Sequence, residues 1–183
     1  VRDFLEVIKF CRRKHIKLIY PSSATIYENC TPYSHTKNAL EEIQQAYNIP
    51  SLALRIFAGY GPGEGHKKDY ASIVYQFIQK IRNGEPIEVY GDGNQSRDFV
   101  YIDDIVRTIM GNLDKTGYLD IGTGRDITFI RVIDIISGLL HKKPEIKWVD
   151  GPKDYIKHTN CTNPINDPLP IEEGIFKMIH GTT

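Results

Sequence analysis

Two short apolar runs with a long amphipathic stretch between them constrain this chain most. Lys17–Pro21 centres on Leu18-Ile19-Tyr20, and Ser51–Phe57 carries Leu52, Leu54 and Ile56. Runs this short and this apolar predict strands buried on both faces. Residues 33–48 place Ala39, Leu40, Ile43, Ala46 and Tyr47 at helical spacing, and Asn48 and Pro50 end the pattern. Residues 1–14 repeat that spacing with Phe4, Leu5, Val7, Ile8 and Cys11. Helix, strand, helix, strand in this order predicts a parallel sheet with right-handed crossovers. Ligands of such sheets sit outside the carboxyl ends of the strands. Ser22-Ser23 and Phe57-Ala58-Gly59-Tyr60 both fall there.

That location gives meaning to a pattern that is weak by itself. Ser22-Ser23-Ala24-Thr25-Ile26-Tyr27 is followed by Tyr33-Ser34-His35-Thr36-Lys37, a Tyr-x-x-x-Lys opening the predicted helix. Residues four apart share a helix face. An ammonium beside a phenol favours the phenolate, and a nearby serine hydroxyl can share the moving proton. Such a group can take a proton from a sugar hydroxyl as hydride leaves the carbon. The alternative is an exposed tyrosine with a solvated lysine.

The rest of the chain reads as further α/β structure. Residues 58–68 hold Gly59, Gly61, Gly63 and Gly65 and match no phosphate-loop fingerprint, so a flexible connection competes with a ligand-approaching loop. Helix 70–83, strand 87–90, turn 91–94, strand 97–101, a helix from Asp103 and Asp104 to Leu113, strand 119–121, helix 129–141 capped by Thr128, strand 145–149 and helix 171–180 follow. The segment 151–170 is polar and rich in Pro and Asn, fit for a substrate cover or a loose end. The formal net charge is zero, which argues against an electrostatic nucleic-acid binder. Cys11, Cys30 and Cys161 are widely spaced, with neither metal-ligand spacing nor a disulfide framework. No apolar run reaches membrane-spanning length and no signal-peptide pattern opens the sequence, so a cytoplasmic protein is expected.

Five motifs in order now agree. They are Ser-Ser-Ala-Thr-x-Tyr, Tyr-x-x-x-Lys, Arg55-Ile56-Phe57 with Tyr60-Gly61-Pro62, Gly91-Asp92-Gly93-x-Gln95-x-Arg97-Asp98-Phe99-Val100-Tyr101-x-Asp103-Asp104, and Gly122-Thr123-Gly124. Together they resemble the NAD(P)-dependent nucleotide-sugar epimerase/dehydratase family of extended short-chain dehydrogenases/reductases. The resemblance implies an α/β fold: the C-terminal part of a Rossmann-type doubly wound parallel sheet plus a small α/β substrate-binding lobe. Residues 1–60 and 103–124 would belong to the dinucleotide-binding domain, and 61–102 with 125–183 to the lobe. Dehydratases carry Asp-Glu where this chain has Ala24-Thr25, which favours an epimerase. Such enzymes oxidise a sugar carbon transiently to a ketone and return the hydride to its other face, so no net redox occurs.

The resemblance also implies roles. Tyr33 would be the acid/base, Lys37 would hold the nicotinamide ribose, and Ser23 would hydrogen-bond the sugar hydroxyl. Ser22, Phe57, Gly59 and Lys67 would join Tyr33 and Lys37 around NAD or NADP. The nucleotide-diphosphate sugar would meet Ser23, Ala58, Asp69, Gln76, Val89, Tyr90, Gly91, Asp92 and His158, with Arg97 clamping the diphosphate. For Arg97 the competing reading is a salt bridge to Asp98 or Asp92, and for His158 a plain surface residue. The loop Gly61–Lys68 with Ala71-Ser72 resembles that of ADP-glycero-manno-heptose 6-epimerases, where the lysine matching Lys67 is a second catalytic group. A phosphate or solvent contact is the other reading of Lys67, and UDP-glucose/UDP-galactose 4-epimerase is the alternative function. Family members pair through helices matching 1–14 and 33–48, so a homodimer is expected.

Four departures qualify the likeness. Ala58 stands where the family has Asn, Glu28 stands where it has Gly, and the segment between Tyr27 and Tyr33 is short. The glycine fingerprint of the first mononucleotide-binding half is not in this sequence. The expectation is an N-terminally truncated epimerase, poorly active alone, with a non-catalytic nucleotide-sugar-binding or dimerisation module as a further alternative.

Overall fold

A computed structural model describes residues 1–28, 31–152 and 155–181; Cys30 lies outside these. Helix α1 spans Arg2–Lys14, strand β1 Leu18–Pro21, helix α2 Pro32–Tyr47 and strand β2 Ser51–Ile56. A short strand β3 (Ala58–Tyr60) leads to helix α3 (Ile73–Asn83), strands β4 (Ile87–Tyr90) and β5 (Ser96–Tyr101), and helix α4 (Ile102–Met110). Strands β6 (Gly117–Ile121) and β7 (Asp126–Thr128), helix α5 (Phe129–Leu140), strand β8 (Ile146–Val149) and helix α6 (Ile171–His180) complete the chain.

The parallel sheet is present. Strand β2 lies between β1 and β6 and runs parallel to both, with Leu18 opposite Ser51 and Leu54 opposite Leu119. Alternation along the strands sorts the two faces. Leu18, Tyr20 and Ala53 pack with Ile8 and Cys11 of α1 and with Leu40 and Ile43 of α2. Leu52, Leu54 and Ile121 face the other way and pack with Val100, with Ile105 of α4, and with Ile109. A larger core gathers α3, α5 and α6 around β4 and β5 through Phe77, Phe99, Phe129, Ile136 and Ile175.

Local chemistry sets the element ends that matter for the site. Thr31 Oγ1 accepts from Ser34 N (3.1 Å) and Ser34 Oγ accepts from Thr31 N (3.0 Å), a reciprocal cap, with Pro32 in the first turn. This fixes the start of α2 one residue earlier than the periodicity does, immediately before Tyr33. Ser72 Oγ caps α3 by accepting from Tyr75 N, so this helix begins at Ile73 rather than at residue 70.

Two expectations need correction, and one further strand is unforeseen. Residues 58–68 are not a flexible connection. Ala58–Tyr60 pairs in parallel with Phe99–Tyr101, and a 3-10 turn occupies Glu64–Tyr70. Small residues are needed there because α4 lies close: a Cβ on Gly61 would stand 2.5 Å from Ile102 Cγ2. Asp103 and Asp104 do not cap α4 with their side chains. Asp104 is buried and instead accepts from Arg107 (2.7 Å) and from Leu169 N (2.8 Å). Strand β7, antiparallel to β5, is too short to show a period.

Residues 155–165 are not a loose end. Ser96 N donates to Lys157 O (2.8 Å), Asp98 N to Thr159 Oγ1 (3.3 Å), and Ile165 N to Gly122 O (2.9 Å). Residues 155–165 thus form a strap along β5. Asp98, fully buried, fastens it. Its carboxylate accepts from Thr123 N (2.7 Å), Thr123 Oγ1 (2.6 Å), Gly124 N (2.8 Å) and Cys161 N (2.9 Å). Asp98→Ala strands these donors without an acceptor and should cost about 3 kcal/mol, measured as a lower urea midpoint. A loss below about 1 kcal/mol would show that the strap is held by other contacts.

Candidate active site

The carboxyl ends of β1 and β2 and the first turns of α2 bring a phenol, an ammonium and hydroxyls into one region. Tyr33 is 55% exposed in the first turn of α2. One turn on, Lys37 Nζ lies 5.6 Å from the Tyr33 ring centroid and donates to Pro21 O at 2.8 Å. Partial burial lowers the Lys37 pKa from its ordinary value. Ser23 is buried and caps the 3-10 turn Ala24–Tyr27. Its Oγ accepts from Thr25 N (3.2 Å) and Thr25 Oγ1 (3.0 Å), an arrangement that leaves its own proton to be given to a ligand. Ser22 is used differently. Its hydroxyl donates to Glu41 Oε1 at 2.5 Å, inside the protein.

Beside this group lies a cavity of about 210 Å³ walled by Ala24, Tyr27, Glu28, Phe57, Asp120 and Thr159, among others. Gly59 sits beyond Phe57, where a Cβ would stand 3.0 Å from Ile105 Cδ1. Ala58 is half-buried on β3 and packs against the larger core.

A second cavity, about 480 Å³, gathers Tyr90, Gly91, Asp92 and His158 with Tyr155 and Lys157. The Tyr90 and Tyr155 rings meet edge to face, centroids 5.1 Å apart. Asp92 accepts from Asn94 N (3.0 Å) and Asn94 Nδ2 (2.8 Å), bonds that hold its carboxyl below the usual range. His158 Nδ1 lies 2.9 Å from Ser96 Oγ, which in turn donates to Asp126 Oδ2 at 2.8 Å. Because the Ser96 proton goes to Asp126, Nδ1 of His158 is the donor to Ser96 and Nε2 is the nitrogen left for other partners. Val89, by contrast, is 1% exposed in the core, so only its backbone can meet a ligand.

Arg97 lies by the strap. Its Nη1 donates to Ser96 O (2.7 Å) and Lys157 O (3.3 Å), and its guanidinium carbon stands 5.2 Å from the Tyr155 ring and 5.5 Å from that of Phe129. Burial lowers its pKa, while the charge of Glu28, on the wall of the smaller cavity, acts in the opposite sense. Among the described residues Arg97 forms no ion pair with Asp98, Asp92 or any other carboxylate. A half-buried guanidinium of this kind suits a phosphate or diphosphate.

Lys67 is not a free ammonium. It bonds Glu64 Oε2 at 3.3 Å. Glu64 is 4% exposed, and it also accepts from Gly61 N (3.2 Å), Ser72 N (2.7 Å) and Ser72 Oγ (2.7 Å). Burial raises the Glu64 pKa, but the bonds from Ser72, Gly61 and Lys67 outweigh it and leave the carboxyl below its ordinary value. Asp69 and Gln76 meet each other: Gln76 Nε2 donates to Asp69 O (3.2 Å) and Ala71 O (2.8 Å).

Sequence reasoning missed Glu41, Asp98, Glu64 and Asp120. For Glu41 a signal existed, since Tyr33, Lys37 and Glu41 repeat at intervals of four along one helix stripe. Asp98 and Asp120 act through partners far away in the chain, which no local pattern marks, while Glu64 gathers Gly61, Lys67 and Ser72 from within its own loop.

The residues present fit the nicotinamide-ribose end of a dinucleotide: an exposed phenol, a neighbouring ammonium and a serine hydroxyl at a strand's end. The glycine fingerprint for a pyrophosphate is not among them.

Comparison with known proteins places the chain. Its residues 1–118 match the model of the NAD dependent epimerase/dehydratase family. The fold is similar to that of a UDP-N-acetylglucosamine 4-epimerase from Methanobrevibacter ruminantium M1 in complex with UDP-N-acetylmuramic acid, with 28% identity and a TM-score of 0.86. That likeness covers 99% of this chain and 67% of the other. UDP-glucose 4-epimerase of Thermotoga maritima with UDP-glucose shares the fold at 21% identity and a TM-score of 0.87, over 97% of this chain and 67% of that one. UDP-glucose 4-epimerase of Thermus thermophilus in complex with NAD does so at 22% identity and a TM-score of 0.83, over 97% and 68%. With the match spanning 118 of its 183 residues, the chain belongs to the NAD-dependent epimerase/dehydratase family.

Proposed function

We propose that this chain serves the NAD-dependent epimerisation of a UDP-hexose, by transient oxidation to a keto sugar. The observation that carries the reading is the exposed Tyr33 phenol with Lys37 beneath its ring at the mouth of the sheet. Tyr33 Oη would take the proton of a sugar hydroxyl and later return it. Lys37 would bind the cofactor ribose, and Ser23 would donate to the sugar oxygen. NAD, when bound, supplies the hydride acceptor and donor. Arg97 would hold the diphosphate, and the cavity of Tyr90, Asp92 and His158 would take the nucleotide.

Two observations favour a UDP-hexose over an ADP-heptose. The structure with 28% identity is a UDP-sugar 4-epimerase. In addition, a second catalytic role for Lys67 would require leaving its ion pair with Glu64. The ADP-heptose reading keeps the support of the Gly61–Lys68 loop sequence. A homodimer through α1 and α2 is part of the proposal, supported by exposed Val7 and Phe10 on α1.

Isothermal calorimetry with UDP-glucose and ADP-glucose, each with and without NAD, tests the reading. UDP-glucose should bind the tighter, and Arg97→Ala should weaken it on the order of tenfold to a hundredfold through loss of charge-assisted bonds. Equal affinity of the variant and wild type would rule Arg97 out as the clamp. Tighter binding of ADP-glucose would favour the heptose reading.

Glu64 yields a pH prediction. Its folded pKa is depressed, so its contribution is present above the unfolded glutamate value and is lost as pH falls through the folded one. Protection against amide exchange over residues 61–72, relative to the intrinsic rate at each pH, should therefore fall on acidification below about pH 4, and Glu64→Gln should abolish that dependence. A variant that keeps the same acid limb would assign it to another carboxylate.

A further inference from the structure

The face of the parallel sheet under α2 holds a buried polar network that the proton-transfer reading does not use. Arg55 on β2 and Glu41 on α2 form an ion pair, Nη2 to Oε2 at 2.7 Å, with side chains only 13% and 6% exposed. Arg55 Nε also donates to Oε1 (3.2 Å) and Oε2 (3.3 Å). The remaining donors reach outward. Arg55 Nη1 donates to Tyr27 Oη (2.8 Å), and Tyr27 Oη donates to Asp120 Oδ1 (2.7 Å) on β6. The guanidinium lies on the Tyr118 ring, 3.7 Å from its centroid. Glu41 Oε1 takes the hydroxyl of Ser22, directly after β1. One ion pair thus ties α2 to the end of β1, to β2, to the 3-10 turn that opens at Ser23, and to β6.

The geometry of α2 gives this network its direction. Tyr33, Lys37 and Glu41 are successive members of one stripe, at intervals of four residues. Side chains on a helix lean toward its N-terminus, so Glu41, two turns down, reaches up to Ser22 at the strand's end. Along the stripe exposure falls from Tyr33 at the surface, through half-buried Lys37, to buried Glu41. Lys37 is seated by Pro21 O, the residue before Ser22. The lysine and the glutamate therefore grip consecutive residues of the same strand end, one turn apart.

We propose that the Glu41–Arg55 pair is a positioning device that sets the height and rotation of the Tyr33–Lys37 stripe against the Ser22-Ser23 strand end. Neither residue touches the reacting atoms; both act through α2. This rests on the assignment of Tyr33 and Lys37 to proton transfer. Reach matters as much as charge: Asp in place of Glu41 keeps the charge but cannot span both Ser22 and Arg55, and Lys in place of Arg55 cannot make the forked contact while also holding Tyr27.

The test reads the seating of Lys37 directly. Full-length chains carrying Glu41→Asp, Glu41→Gln or Arg55→Lys are treated with a limiting amine-acylating reagent, and modification of each lysine is followed by mass spectrometry. Lys37 labelling should rise on the order of tenfold in Glu41→Asp and Arg55→Lys and less in Glu41→Gln, which keeps the reach. Lys80 on α3 should label at the wild-type rate. The exposed change Glu42→Gln on the same helix should leave Lys37 as it is. If Lys37 labelling is unchanged in all three variants, the proposal fails. A rise shared equally by Lys80 also overturns it, since the pair would then serve only general stability. Should the aspartate variant not fold, the glutamine and lysine variants decide.

A parallel assay of UDP-sugar interconversion with NAD separates this inference from the one beneath it. A misplaced stripe lowers kcat, on the order of a hundredfold, with KM nearly constant. Freed Lys37 in the variants together with a wild type that binds neither UDP-glucose nor NAD by calorimetry would confirm the positioning and refute the enzymatic reading.

Discussion

One buried carboxylate closes this molecule. Asp98 has no basic partner among the described residues; four N–H and O–H donors surround it instead. They come from the turn after β6 and from the strap, while Asp98 itself belongs to β5. Burying a carboxylate is costly unless its lone pairs are met. Here they are met, and the result is that three remote segments share one fixed point. The smaller cavity draws Thr159 and the larger one His158 from the strap so held.

Much of the fold was legible because its cause is local. Helical periodicity and caps placed α1, α2, α5 and α6 to within two residues, and the apolar runs placed β1 and β2. The parallel pairing followed from element order alone. What stayed hidden depended on distant partners. Strand β3 is Ala-Gly-Tyr, a sequence with no strand signature, and exists because Phe99–Tyr101 lies alongside. Residues 155–165 show no period, and their order comes from β5.

The candidate site divides in the same way. The Tyr33–Lys37 spacing and the run Tyr90-Gly91-Asp92 are patterns in the sequence, and the structure sets the first at an exposed phenol and the second in a lined cavity. Ser22 and Ser23 are adjacent and chemically identical, yet one hydroxyl is consumed by Glu41 and the other faces the 3-10 turn. Only three-dimensional contacts can separate them. Lys67 likewise looks free in the sequence and is paired in space. Charges are the least legible feature, since their meaning is set by partners rather than by neighbours.

The strap has a consequence for the order in which the molecule is made. Cys161 and Asp98 are 63 positions apart, and the bond between them closes a long loop. A nascent chain that has emerged only as far as α5 already holds Tyr33, Lys37 and the strands beneath them. It lacks Tyr155, Lys157, His158 and Thr159, and so neither of the two cavities has its full wall. Both cavities are closed only when residues 155–165, the segment with the least structure of its own, settle against β5.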